Sequence, residues 1–209
     1  MNLPISARAT ELENMRPPQW PALLFEELIV SGAAAARASV GRLPPVPLAL
    51  RSFEKTRRFV VSKLEEQESL CKGLGRSLED MFRVVRGADE PDTGCSLRSA
   101  GQYVIAGIEG LYLWDRDLLR LEPHPQWLPV VLRLRGRGGR IAHGVVLQAR
   151  SMGNAVRGEA ASPLEEWAAR MQSDAADLAR DIQQLAWQHN LELAVAWVGL
   201  VIAVWLLAH

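Results

Sequence analysis

The chain of 209 residues is poor in cysteine, poor in lysine and without surplus charge of either sign. Its two cysteines, Cys71 and Cys95, exclude a disulfide-stapled scaffold and a zinc site built from cysteine alone. Lys and Arg total 24, as do Asp and Glu, which argues against a dedicated nucleic-acid binder. Only three of those bases are lysine, and the arginine excess reads as the codon bias of a GC-rich bacterial genome. Catalytic patterns are missing too. His124, His143 and His189 have no second ligand at metal spacing. The glycines between Gly136 and Gly139 lack the Lys-Ser/Thr of a phosphate loop, and Ser151-Met152-Gly153 is no nucleophile elbow. The residues therefore predict a non-catalytic protein with no metal or cofactor. At 48% apolar and 23% charged, however, the chain is too apolar to stay disordered.

What is present in abundance is a C-terminal apolar run. Leu193 to Ala208 reads LAVAWVGLVIAVWLLA, with the two indoles as its sole polar side-chain groups. As a helix those residues extend roughly 24 Å against a hydrocarbon core of about 30 Å. Residues 190–192 in front bring the length close to sufficient, because Glu192 can snorkel to the headgroups. Trp187 and Trp205 lie about 27 Å apart on such a helix, one near each interface, with Trp197 and Gly199 between them. Ala196, Gly199 and Ala203 form a small-residue face suited to close packing between tails. The run is apolar all round and not one-sided, which favours lipid over a soluble core. The first sixteen residues have no apolar stretch of signal-peptide length and include Glu11 and Glu13. The expectation is a tail anchor over residues 191–208, with the bulk of the chain cytoplasmic at the cell inner membrane. A eukaryotic source would move it to an organelle outer membrane.

Two heptad patterns precede the tail. Ser162-Pro163-Leu164-Glu165 carries the parts of a helix start, after which no Gly or Pro occurs until Gly199. Leu164, Ala168, Met171, Ala175, Leu178, Ile182 and Leu185 follow at alternating steps of four and three, a packing seam that runs straight into the anchor. Upstream, Leu50, Phe53, Val60, Leu64, Cys71, Leu74, Leu78, Met81 and Val85 share that register, with Arg57 and Gln67 as polar interruptions. Gly73 and Gly75 predict a bend or break, Pro44, Pro45 and Pro47 bar extension backward, and Gly87 to Asp92 ends the helix. The seams either pack on each other within one chain or serve a homo-oligomer. Charge favours the former, since residues 48–86 are net basic and 159–192 net acidic.

Between the seams the pattern reads as strand. Tyr103 to Ile108, Leu111 to Trp114, Leu118 to Leu121, Pro129 to Arg135 and Arg140 to Gln148 are branched or aromatic and punctuated by glycine or an aspartate turn, which predicts a β-meander over about 102–149, with a helix as the alternative for Leu111 to Leu121. Arg133, Arg135, Arg137 and Arg140 then gather at a hairpin tip. Such a tip suits anionic lipid headgroups, docking on the acidic stalk or simple solvation of an edge. No aromatic is interleaved with them, so base stacking has no platform and nucleic acid is not an expected partner. Pro21 to Val40 reads as a further helix, too polar to span, followed by a stiff proline connector.

The expected architecture is α+β and mainly helical: two long heptad helices, a small antiparallel sheet and a C-terminal transmembrane helix. Residues 1–47 form an N-terminal helix and connector, 48–190 the cytosolic domain and 191–208 the anchor. The expected role is a membrane-tethered interaction or scaffold component whose partners are membrane lipid, unidentified proteins and a second copy through stalk or tail. The alternative is a membrane-active effector that oligomerises and perturbs the bilayer.

Overall fold

A computed structural model describes residues 20–42, 48–85, 97–156 and 164–208. Five helices and two three-residue strands make up those segments. In chain order they are α1 (Trp20–Gly41), β1 (Leu48–Leu50), α2 (Phe53–Val85), α3 (Leu97–Leu119), β2 (Leu121–Pro123), α4 (Leu128–Val156) and α5 (Leu164–Ala208). A single 3-10 turn, Pro125–Trp127, leads from β2 into α4. The proline connector at 44–47, the segment Gly87 to Asp92, the helix start at Ser162-Pro163 and Cys95 lie outside the described residues.

The heptad register of α2 is the observed one. Phe53, Val60, Leu64, Leu74, Leu78 and Met81 are buried along one stripe. The helix does not break at Gly73 and Gly75 but continues through both. The roughly 1 kcal/mol that each glycine costs a helix is outweighed by the burial of Leu74 and Leu78 on the same turns.

The expected antiparallel meander does not form. Residues 97–119 and 128–156 are the helices α3 and α4. The only sheet among the described residues is the pair β1–β2, which is parallel, with Leu48 opposite Leu121 and Leu50 opposite Pro123. A parallel pair needs a crossover, and here α2 and α3 supply it. The burial pattern explains the correction. In α4 the inward positions Val130, Leu134, Arg137, Ile141, Val145 and Met152 recur at helical spacing, while Leu132, Arg133, Gly139 and His143 between them are exposed.

The glycines that read as turns are helix-crossing points. A Cβ on Gly138 would sit 2.8 Å from the Trp114 ring and 3.1 Å from Gln67 Nε2. Trp114 cannot yield easily, because its indole N–H donates to the Lys63 carbonyl at 2.8 Å. A Cβ on Gly144 would overlap the indole of Trp167, which lies across α4. Backbone proximity, not positive φ, is what these two positions require.

Cross-helix partners set the directions. Lys63 of α2 meets Asp117 of α3 at 3.3 Å, and Leu74 lies against Gly107, so α2 and α3 are antiparallel. Arg133 pairs with Asp181 and Arg140 with Asp174, so α4 and α5 are antiparallel as well. α1 lies across α3 and α4, burying Ile29, Ala33, Ala36 and Val40. Two apolar clusters result. One contains Leu78, Met81, Ile108, Val145, Trp167 and Met171; the other contains Phe53, Val60, Leu118, Trp127, Leu134, Leu178 and Ile182.

Gly138→Val should destabilise the fold by about 1–3 kcal/mol through overpacking against Trp114. Gly139→Ala, where nothing lies within 4 Å, should stabilise it by up to about 1 kcal/mol. Denaturant melts of the two variants in one detergent check the opposite signs.

Candidate functional site

Two features of the fold are candidates for function: a polar node under a groove between α2 and α5, and the distal half of α5.

The node lies between the two apolar clusters on every helix that builds it. Gln67 falls between Leu64 and Leu74 on α2, and Arg137 between Leu134 and Ile141 on α4. Both side chains are buried, Arg137 to 2% residual exposure. Arg137 Nη1 donates to Gln67 Oε1 at 2.5 Å and Nη2 to the Met171 carbonyl at 2.9 Å. Gln67 Nε2 in turn donates to the Leu134 carbonyl at 3.1 Å. Arg137 Nε has no hydrogen-bond partner among the described residues. No carboxylate accepts from this guanidinium among the described residues, so its charge is compensated by amide and carbonyl dipoles alone. Burial accordingly holds the Arg137 pKa below the usual arginine range, against the opposing pull of Cys71, Glu68 and Asp174.

Above the node runs a groove of ≈ 470 Å³, walled by Glu68, Cys71, Lys72 and Arg76 of α2 and by Trp167, Met171, Ala175 and Ala179 of α5. Burial pushes the Cys71 thiol up from its ordinary value, and Arg137 pulls it in the other direction. A thiol raised by burial is a poor nucleophile at neutral pH. No group of three His, Cys, Asp or Glu among the described residues is placed to hold a metal ion. The groove therefore presents a shaped, largely apolar surface with a covered cation at its base and the Glu68–Lys72 pair on its α2 wall.

The four arginines expected at a hairpin tip are spread around α4 instead. Arg135 bonds Asp115 of α3 at 2.9 Å, Arg140 bonds Asp174 of α5 at 2.9 Å, and Arg133 pairs with Asp181. Arg137 is the buried member. Charge complementarity with the acidic stalk thus involves α4 more directly than α2.

On α5 the residues of the expected seam differ in burial. Met171, Ala175, Leu178 and Ile182 are buried, and Leu164 and Leu185 partly so. Ala168 is exposed, and Trp167 takes its place in the core. The seam faces α2 and α4 of the same chain. Packing ends at His189, whose ring stacks on Phe53 at 3.6 Å and 16°. Phe53 also meets His124 edge-on at 5.6 Å and Trp127 at 5.1 Å, so two histidines that look isolated in sequence flank one ring. Beyond this cluster every residue from Asn190 to Leu207 is exposed, including Trp197, Gly199 and Trp205, and Trp187 just before it is 65% exposed. Nothing lies within 4 Å of a Cβ built on Gly199. The apolar half of α5 is long and apolar enough to cross a membrane, and its most apolar stretch is not buried by the described residues.

No protein-family model, curated protein or solved structure significantly matches the chain.

Gln67→Leu should destabilise the protein by about 1–3 kcal/mol by stripping Arg137 of an acceptor. The double variant Q67L/R137M should recover part of that loss, a coupling that a double-mutant cycle on denaturation free energies measures. In a Cys95→Ser background, Cys71 should react with a disulfide reagent more slowly than a free thiol at pH 8. Arg137→Met should slow it further by removing the charge that favours the thiolate.

Proposed function

We propose that this is a single-pass, non-catalytic membrane protein whose helical domain holds partner proteins at the bilayer surface. One observation carries the reading: α5 is a single helix, packed on its own domain as far as His189 and exposed on all sides beyond it. Nine large aliphatic residues lie between Leu193 and Leu207. Keeping each in water forgoes about 1.5–3 kcal/mol, a total at or above the entire stability of a typical domain. No face among the described residues buries them, and a bilayer would.

A helix continuous across the boundary suits a tether that sets both the position and the attitude of a binding domain. Confinement to a surface raises the effective concentration of whatever the domain holds. The groove above Arg137 is the concave surface that supports a binding role. Its raised thiol and internally bonded guanidinium offer recognition rather than chemistry. For the domain we favour the cytoplasmic side of a cell inner membrane.

The full chain should stay with the membrane pellet through a carbonate wash, and a form ending at Asn190 should be released. Vesicles carrying the full chain should retain an entrapped dye. Release of the full chain by carbonate would remove the tether, and dye leakage would replace it with a membrane-perturbing role.

A further inference from the structure

We propose that the end of the domain around Phe53 is itself a membrane-docking face, seated in the headgroup layer and selective for anionic lipid. The inference rests on the spanning role of α5 proposed above. Its starting point is a length. His189 is fixed to Phe53 by ring stacking, and the continuous apolar run begins four residues later at Leu193, roughly 6 Å along a helix. The headgroup layer on each side of the hydrocarbon core is itself about 5–8 Å thick. With no linker between stack and span, this end of the domain has no room to stand clear of the lipid.

The elements at that level are the ones the antiparallel packing brings there: β1 and the first turn of α2, the end of α3, β2, and the start of α4. Their exposed apolar side chains are Leu48 at 41%, Leu119 at 59% and Leu128 at 48%, joined by Trp187 on α5. Leucines half-exposed beside an indole fit the boundary between headgroup and acyl chain. The charge matches as well. Arg51, Lys55, Arg57 and Arg58 lie within eight residues that hold one acid, Glu54, which both Arg57 and Arg58 contact; Glu122 of β2, opposite Ala49, is the acid of the neighbouring strand. Arg51 and Lys55 are exposed, and no carboxylate among the described residues pairs with them. This contrasts with Arg133, Arg135 and Arg140, each matched by an aspartate of the same chain. Next to the span, Arg51 and Lys55 thus stand as a close pair of bases open to a phosphate-bearing surface.

The test uses the full chain in vesicles of phosphatidylcholine, with or without phosphatidylglycerol. A fluorophore is placed at Leu128→Cys, at Leu48→Cys or, as a reference about 24 Å farther up α3, at Tyr103→Cys, all in a Cys71→Ser/Cys95→Ser background. With phosphatidylglycerol present, positions 128 and 48 should be several-fold less open to aqueous acrylamide than position 103, and should be quenched by spin label carried at headgroup depth. R51Q/K55Q should lower the docked-to-free ratio about fivefold per base while the protein stays carbonate-resistant. Positions 128 and 48 as open as 103 in a carbonate-resistant protein would overturn the docking face and leave the span standing. Shielding that ignores both phosphatidylglycerol and R51Q/K55Q would overturn the anionic selectivity. Release by carbonate would overturn the span, and the face with it.

Discussion

The packing of the first half of α5 into the cleft between α2 and α4 is the contact on which the rest of the molecule depends. Trp167, Met171, Leu178 and Ile182 insert into both apolar clusters, and Asp174 and Asp181 take the outward arginines of α4. The Met171 carbonyl is also one of the two acceptors that keep Arg137 inside. Without α5 the clusters would open on one side, a buried guanidinium would lose an acceptor, and the groove would lack a wall. The helix that continues to the apolar segment is thus the one that completes the domain.

Much of this was legible in the chain. The seams of α2 and α5 were visible because leucine, valine and methionine recur at steps of three and four with charged residues between. The apolar tail was visible because nothing interrupts it. The middle reads as strand for a physical reason. Glycine in a helix is unfavourable by local propensity, and branched residues beside glycine match the strand-and-turn signature equally well. What decides in favour of helix is tertiary: Gly138 admits Trp114 and Gly144 admits Trp167, and neither partner is near in sequence. The same limit hid the node. Gln67 stood out as a polar break in a seam and Arg137 as one of four clustered arginines, yet only the fold brings the two within 2.5 Å. His124 and His189 stood alone in sequence because their common neighbour, Phe53, lies far from both.

Buried polar contacts between two apolar clusters fix register more than they add stability. Replacing such a pair by hydrocarbon is often neutral, whereas leaving one partner unmatched is costly. A slide of α4 by one turn against α2 or α5 would strand the Arg137 guanidinium away from Gln67 and the Met171 carbonyl. The apolar faces alone, with leucine and valine recurring along α2 and α4, would tolerate that slide better. The node therefore selects one alignment of three helices whose hydrophobic seams are locally repetitive.

The continuity of α5 also makes it a lever. From Leu193 to Trp167 the rod measures roughly 39 Å, with neither glycine nor proline to absorb a change of angle. Membrane-spanning helices commonly incline by about 20° to adapt to bilayer thickness, and over that length such an inclination carries the far end sideways by roughly 13 Å. A thicker or thinner bilayer would thus swing the groove beside Trp167 across a distance comparable to the diameter of a helix.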